Sequence, residues 1–136
     1  MAARLGYQLR RVSMLMMADT GIRMAHTGLR PTEATVLLLV GANPGCRQGN
    51  VGEVLGIKRA NMVPLIAGLI KKGLLHRARA DGRSHTLTLT PTGRAKGSAV
   101  NRLLDKQDAE YQSRLGQQPF AVLLDALAKL RMRGMP

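Results

Sequence analysis

The side chains of this 136-residue chain that could do chemistry are mostly cations. Residues 58–96 carry nine Lys or Arg against Asp81 alone, a net +8 within a whole-chain charge of +13. Residues 1–30 hold a net +4, residues 31–57 a net −1 and residues 97–136 a net +2. Ammonium and guanidinium groups bind phosphate oxygens through charge-assisted hydrogen bonds. A compact chain this basic repels itself, so a polyanionic partner is expected. A solvated basic face would account for the charge by itself, but such a charge would be spread along the chain. Here more than half of the excess lies in 39 residues, so the question becomes whether that segment has a shape that fits a groove.

Other chemistries find little support. The sequence holds no P-loop, no GxGxxG, no HExxH and no nucleophile elbow, and its few acids are scattered, so no enzyme is expected. Cys46 is the lone cysteine, which excludes an internal disulfide. With only His26, His76 and His85 beside it, no metal site and no cofactor are expected. Next to Arg47, Cys46 reads either as a redox sensor with a lowered pKa or as an inert thiol. Aromatic residues make up 2% (Tyr7, Tyr111, Phe120), too few for a protein that stacks single-stranded bases. Arg4, Arg10 and Arg11 ahead of VSMLMMA look faintly like a signal peptide. The run is short, broken by Ser13 and followed by Asp19, so it reads as a helix stripe, and no membrane partner and a cytoplasmic location are expected.

The elements that must position the cations follow from periodicity. Residues 5–25 read as a helix with Leu5, Leu9, Val12 and Met16 on a seam-like spacing. Pro31 opens a second helix, Glu33 suits its first turn and Gly41 follows its last apolar residue. Asn43-Pro44-Gly45 is a turn. Residues 48–56 and 59–72 form a helix pair, with Val51 and Leu55 inward on the first and Met62, Leu65, Ile66, Leu69 and Ile70 inward on the second. The period then changes to two. Leu74–Ala80 and Arg83–Thr90 flank Asp81-Gly82, the pair favoured in a two-residue type I′ hairpin. Thr90-Pro91 caps a helix over 91–115, and 119–131 carries Phe120, Leu123, Leu124, Leu127 and Leu130 on one face.

Residues 48–65 meet the spacing of a helix-turn-helix. Gly52 stands where only a small side chain lets the helices approach, and Gly56 stands at the turn, where positive φ is needed. A basic hairpin within about ten residues turns that pair into a winged helix, whose second helix enters the major groove.

The stretch VGEVLGIKRANMVPLIAGLIKKGLLHRARADGRSHTLTLTPTGRA resembles the core of the MarR family of bacterial transcriptional regulators, most specifically over residues 48–95. The fold class expected is mainly α with a small β-hairpin wing, a winged helix-turn-helix with dimerisation helices from both termini. As a single unit over 1–136, it divides into a DNA-binding lobe at 30–95 and dimerisation helices at 1–29 and 96–136. The resemblance implies a homodimer on a pseudo-palindromic double-stranded DNA operator, usually as a repressor. It also implies release by a small ligand, here a small aromatic acid or an aromatic acyl-CoA. The alternative is a non-specific architectural nucleic-acid binder using the same basic surface.

Carried over by position, the resemblance puts Lys58, Arg59 and Asn61 at the start of the recognition helix. Asn suits adenine and Arg suits guanine; the plainer alternatives are an N-cap for Asn61 and a merely exposed face for the two cations. Arg77, Arg79, Asp81, Arg83 and Ser84 supply the wing, where Asp81 orients wing arginines or only forms the turn, and Ser84 adds a phosphate hydrogen bond. Three positions depart from the family pattern. Pro64 falls inside the recognition helix, so that helix either is distorted or starts at Asn61. The wing is short, and Arg30 stands where a Ser or Thr usually caps.

For an effector, Arg10 and Arg11 are candidate anchors, and Met14 and Met17 a candidate apolar lining, with ordinary core packing as the plainer role for the methionines. The segment LGYQLRRVS resembles regulators of hydroxycinnamate catabolism, some of which answer to CoA thioesters.

Overall fold

The structure is a computed structural model and describes residues 1–132; residues 133–136, the end of the expected C-terminal dimerisation stretch, lie outside it. The elements run α1 (Leu5–Arg23), a 3-10 turn (Ala25–Thr27), α2 (Pro31–Ala42), β1 (Cys46–Arg47), α3 (Gln48–Leu55), α4 (Arg59–Lys71), β2 (Leu75–Arg79), β3 (His85–Leu89), α5 (Pro91–Leu115) and α6 (Gln117–Arg131). The expected helix and hairpin order is present. One element is new: β1 joins the hairpin, giving an antiparallel sheet in the order β1-β3-β2, with Cys46 opposite Leu87 and Arg47 opposite Thr86. Two residues are too few to show a period, which is why the sequence gives no sign of it. The first helix also ends earlier than expected, at Arg23, and the chain tightens into the 3-10 turn before Gly28 reverses it.

The core is local. Among the described residues, every fully buried apolar side chain lies between Met24 and Val100. One cluster joins Val36, Leu37 and Val40 of α2, Val51 of α3, Met62, Ile66 and Leu69 of α4, Leu75 and Leu87 of the sheet and Val100 of α5. The unbroken run VLLLV suits a helix covered on most of its circumference. By contrast, α1 and α6 have no buried residue. Leu5, Val12, Met14, Leu15, Leu123, Leu124 and Leu130 of those helices are all exposed. Their apolar stripes form as the sequence implies, and a single chain leaves them uncovered.

A polar knot joins α1 to α5 beyond the core. Gln107, buried on α5, donates through Nε2 to Asp19 Oδ2 at 2.8 Å, and its Oε1 lies 3.0 Å from the Thr20 hydroxyl. Arg23 reaches Asp19 from Nε at 2.9 Å and also pairs with Glu110 of α5. Hydrogen bonds from Gln107 and Arg23 hold the Asp19 carboxyl below its ordinary pKa, and Arg23 does the same for Glu110.

The start of α2 is tied down by Glu33. Its carboxylate accepts the Arg30 N–H at 2.9 Å, half of a capping box, which relieves the absence of a Ser or Thr cap. It also accepts from Lys72 Nζ at 2.8 Å, at the far end of α4, and Lys72 donates to Gly28 O at 3.0 Å. Burial pushes the Glu33 pKa up, but Lys72 and the Arg30 N–H outweigh it and hold the carboxyl below the ordinary glutamate value.

Because the folded pKa is depressed, the Glu33 contribution is complete above the ordinary glutamate value of 4.5 and fades as pH falls through the folded value. Lys72 is 42% exposed, so solvent screening limits the pair. Glu33→Gln is expected to cost about 1 kcal/mol at neutral pH; paired thermal melts should show a gap that is constant above pH 6 and closes in acid.

Gly52 has a separate constraint. A Cβ there would lie 3.0 Å from Met62 Cγ and 3.1 Å from the Ile57 carbonyl oxygen. Gly52→Val adds two further methyl groups in that space and is expected to cost about 1–3 kcal/mol in urea unfolding.

Candidate nucleic-acid interface

The helix pair is built as its sequence requires. Gly56 ends α3 at φ 67°, and the Ile57 N–H returns to Gly52 O at 2.8 Å, closing the turn. Lys58 is the N-cap of α4, at φ −61° and ψ 145°, so the helix starts at Arg59. This corrects the alternative of a start at Asn61. Pro64 is the sixth helical residue, beyond the free first turn, and the helix runs through it. An interior proline costs roughly 3 kcal/mol. Burying Met62, Ile66 and Leu69 completely returns about 1.5–3 kcal/mol each, which is more. The carbonyl that loses its partner belongs to Ala60, an exposed residue that water can reach.

Burial of that inner face fixes what points outward. Arg59, Ala60, Asn61, Val63, Pro64, Ala67 and Lys71 are exposed along α4. Asn61 is not an N-cap; it lies in the first turn with its side chain in solvent.

The wing differs from expectation at its tip. The Ser84 N–H donates to Asp81 O at 3.0 Å, so Gly82 and Arg83, not Asp81 and Gly82, are the central pair of the turn. Gly82 has φ 57° and Arg83 does not share the positive sign, which matches a type II′ turn instead of type I′. The Ala80 N–H then bonds to Ser84 O at 3.0 Å, leaving a slightly wider tip. Along β2, Leu75, Arg77 and Arg79 share a face, opposite Leu89, Leu87 and His85 of β3. Arg77, Arg79 and Arg83 are all exposed.

Arg47 reaches this tip from β1, a contact that its place in the sequence does not announce. Its Nη1 donates to Ser84 Oγ at 3.0 Å, and its Nη2 lies 3.6 Å from Asp81 Oδ2. The Ser84 hydroxyl in turn donates to Asp81 O at 2.8 Å. Two expectations change as a result. Asp81 faces Arg47 of β1 and not an arginine of the wing, and the Ser84 hydroxyl is occupied within the protein. A signal for Arg47 exists only in the pairing of β1 with β3, which two residues cannot reveal. Burial pushes the Cys46 thiol up, so the neighbouring arginine does not activate it.

Two hollows border α4. One, of about 610 Å³, lies between α3, α4 and the wing and is lined by Arg47, Arg59, Arg83 and His85 among others. Arg59 and Arg83, distant in sequence, are thereby brought to one groove. The other, of about 300 Å³, is bounded by Arg30, Thr32, Asn61 and Pro64. The outward face of α4 is thus a ridge, with Arg30 on one side and, on the other, a depression where Arg47, Arg59 and Arg83 outnumber Glu53 and Asp81.

The sequence pattern of the MarR family matches residues 27–84. A solved structure of the transcriptional repressor CouR bound to a 23-mer DNA duplex is 35% identical, covering 95% of this chain and 93% of that one with a TM-score of 0.88. The chain belongs to the MarR family. A second CouR structure, bound to p-coumaroyl-CoA, is 32% identical over 97% of this chain and 94% of that one, with a TM-score of 0.86. A putative transcriptional regulatory protein for the hcr operon of Thauera aromatica is 26% identical over 133 residues, 96% of this chain and 80% of that one. The protein is therefore a transcriptional regulator of MarR type, with the DNA-binding winged helix of that family.

The effector candidates of this MarR protein lie on α1. Arg10, Met14 and Met17 are exposed on α1, and Arg11 donates to the Tyr7 hydroxyl at 2.9 Å while lying over its ring. Both hollows bordering α4 lie away from them. Among the described residues, no group of three or more His, Cys, Asp or Glu could hold a metal ion, and no helix is long and apolar enough to cross a membrane.

If Arg47 fixes the wing tip, Arg47→Gln should loosen it without unfolding the sheet. Tryptic cleavage after Arg83 is expected to accelerate about two- to five-fold, the range for an exposed ion pair of up to 1 kcal/mol; mass-resolved digestion time courses measure it.

Proposed function

We propose that the protein is a homodimeric repressor of the cytoplasm that grips a pseudo-palindromic operator and lets go when an aromatic acid or its CoA thioester binds. The observation that carries the reading is the shared groove of Arg59 and Arg83, two cations from different elements flanking an exposed helix ridge. The likeness to a repressor solved on duplex DNA supports it. In this reading residues 30–95 form the DNA-binding lobe. Lys58, Arg59 and Asn61 meet the major groove and its rims. Arg77, Arg79 and Arg83 meet phosphates of the flanking duplex, and Asp81 and Ser84 keep the tip in shape for them.

Residues 1–29 and 96–136 form the dimerisation region. The uncovered apolar stripes of α1 and α6 support this, because side chains such as Leu15 and Leu124 gain little from forming a stripe unless something covers it. Pairing through these helices would also build the effector pocket. Arg10 and Arg11 would anchor a carboxylate or phosphate, and Met14 and Met17 would adapt to the aromatic part. The likeness to a repressor bound to p-coumaroyl-CoA supports the thioester.

A salt titration of binding, comparing a selected palindrome with random duplex, tests the proposal. The logarithmic slope is expected to be steep, and Arg59→Ala or Arg83→Ala to lower it by ~0.9 for each phosphate that is no longer neutralised. Added p-coumaroyl-CoA should release the palindrome. Equal affinity for random DNA with no release would favour an architectural protein instead, and a flat salt response would sink both readings.

A further inference from the structure

We infer that the ridge of α4 reads thymine methyl groups, with Val63 as the residue that sets this preference. The inference rests on the DNA-binding reading above and deepens it. Ala60, Val63, Pro64 and Ala67 are spaced by three and four residues, so they line one stripe of the helix. All four are exposed, Val63 to 53%. None carries a hydrogen-bond donor or acceptor in its side chain. The middle of the surface that would enter the groove is therefore apolar for two turns, and Asn61 and Arg59 stand at its edges.

The major-groove edges of the bases differ in what they can offer such a stripe. Guanine, adenine and cytosine present donors and acceptors there, and an apolar side chain pressed on them leaves those groups without water and without a partner. Thymine presents a methyl group, which gains by leaving water. Val63 is the largest branched member of the stripe and offers two methyl groups of its own. Charge commits the occupant to nucleic acid rather than to an apolar protein partner. Lys58 and Arg59 lie at the N-terminal end of the stripe, Lys71 at its C-terminal end and Arg83 across the adjoining groove. An apolar protein surface set against this ridge would bury those cations without counter-charges.

The test selects the preferred operator from random duplexes with the intact protein, then replaces each thymine of a half-site by deoxyuridine, one at a time. Removal of a single methyl group is expected to weaken binding about three- to five-fold at one or two positions, the worth of one buried methyl. Val63→Ala, at an exposed site, should melt like the parent, keep its salt slope and lose the deoxyuridine penalty at one of those positions. Tolerance of deoxyuridine everywhere, a selected half-site without thymine, or a full penalty retained by Val63→Ala would each overturn the inference. A protein that binds duplex with a steep salt slope but ignores the methyl groups refutes this inference alone. One that binds no duplex refutes the broader reading with it.

Discussion

The face that α4 turns to solvent is decided by the face it buries. Met62, Ile66 and Leu69 are fully buried where α4 packs on α3 and β2, and the absence of a side chain at Gly52 lets α3 come close to Met62. Rotating the helix by one residue, about 100°, would drag these side chains into water at a cost of several kcal/mol. The positions of Arg59, Asn61 and Val63 are therefore fixed by packing on the other side of the same helix. The same constraint explains why Pro64 is tolerated. It falls on the outward side, where the orphaned carbonyl meets solvent and where its ring disturbs no core packing.

Much of this is legible in the sequence because it depends on local rules. Periods of 3.6 and 2, a Thr cap confirmed by the Gly93 N–H bond to Thr90 Oγ1, and the glycines at 52 and 56 each leave a mark within a few residues. The features that the sequence hides depend on contacts between distant residues. β1 is defined by pairing with a strand forty residues later, and the role of Arg47 follows from that pairing. The tip turn departs from the expected type because Asp-Gly and Gly-Arg compete for its centre, and only the Ser84 hydrogen bond decides between them. Glu33 shows a mixed case. Its position in the first turn of α2 is readable, while its tie to Lys72, thirty-nine residues on, is not. The effector candidates are the least legible, since Arg10, Met14 and Met17 are exposed on α1 and no contact within the chain marks them out.

The two ends of the molecule are held in different ways. Between Met24 and Val100 the chain is held by apolar burial, which is strong and has no preferred direction. Between α1 and α5 it is held by Asp19, Thr20, Arg23, Gln107 and Glu110, whose hydrogen bonds work over a narrow range of angles. Apolar contacts tolerate small slides of one helix along another. The polar knot does not, so α1 keeps a defined angle to the long helix that leads away from the wing.

The ridge residues Ala60, Val63 and Ala67 hold nothing else together. No core packing and no internal side-chain hydrogen bond runs through them, whereas their neighbours Met62, Ile66 and Leu69 on the same helix are indispensable to packing. Natural variation acting on stability and variation acting on what the helix touches therefore fall on separate positions, one turn apart at most. Single exchanges at Ala60, Val63 or Ala67 can therefore reshape the outer surface of α4 and leave its folding untouched.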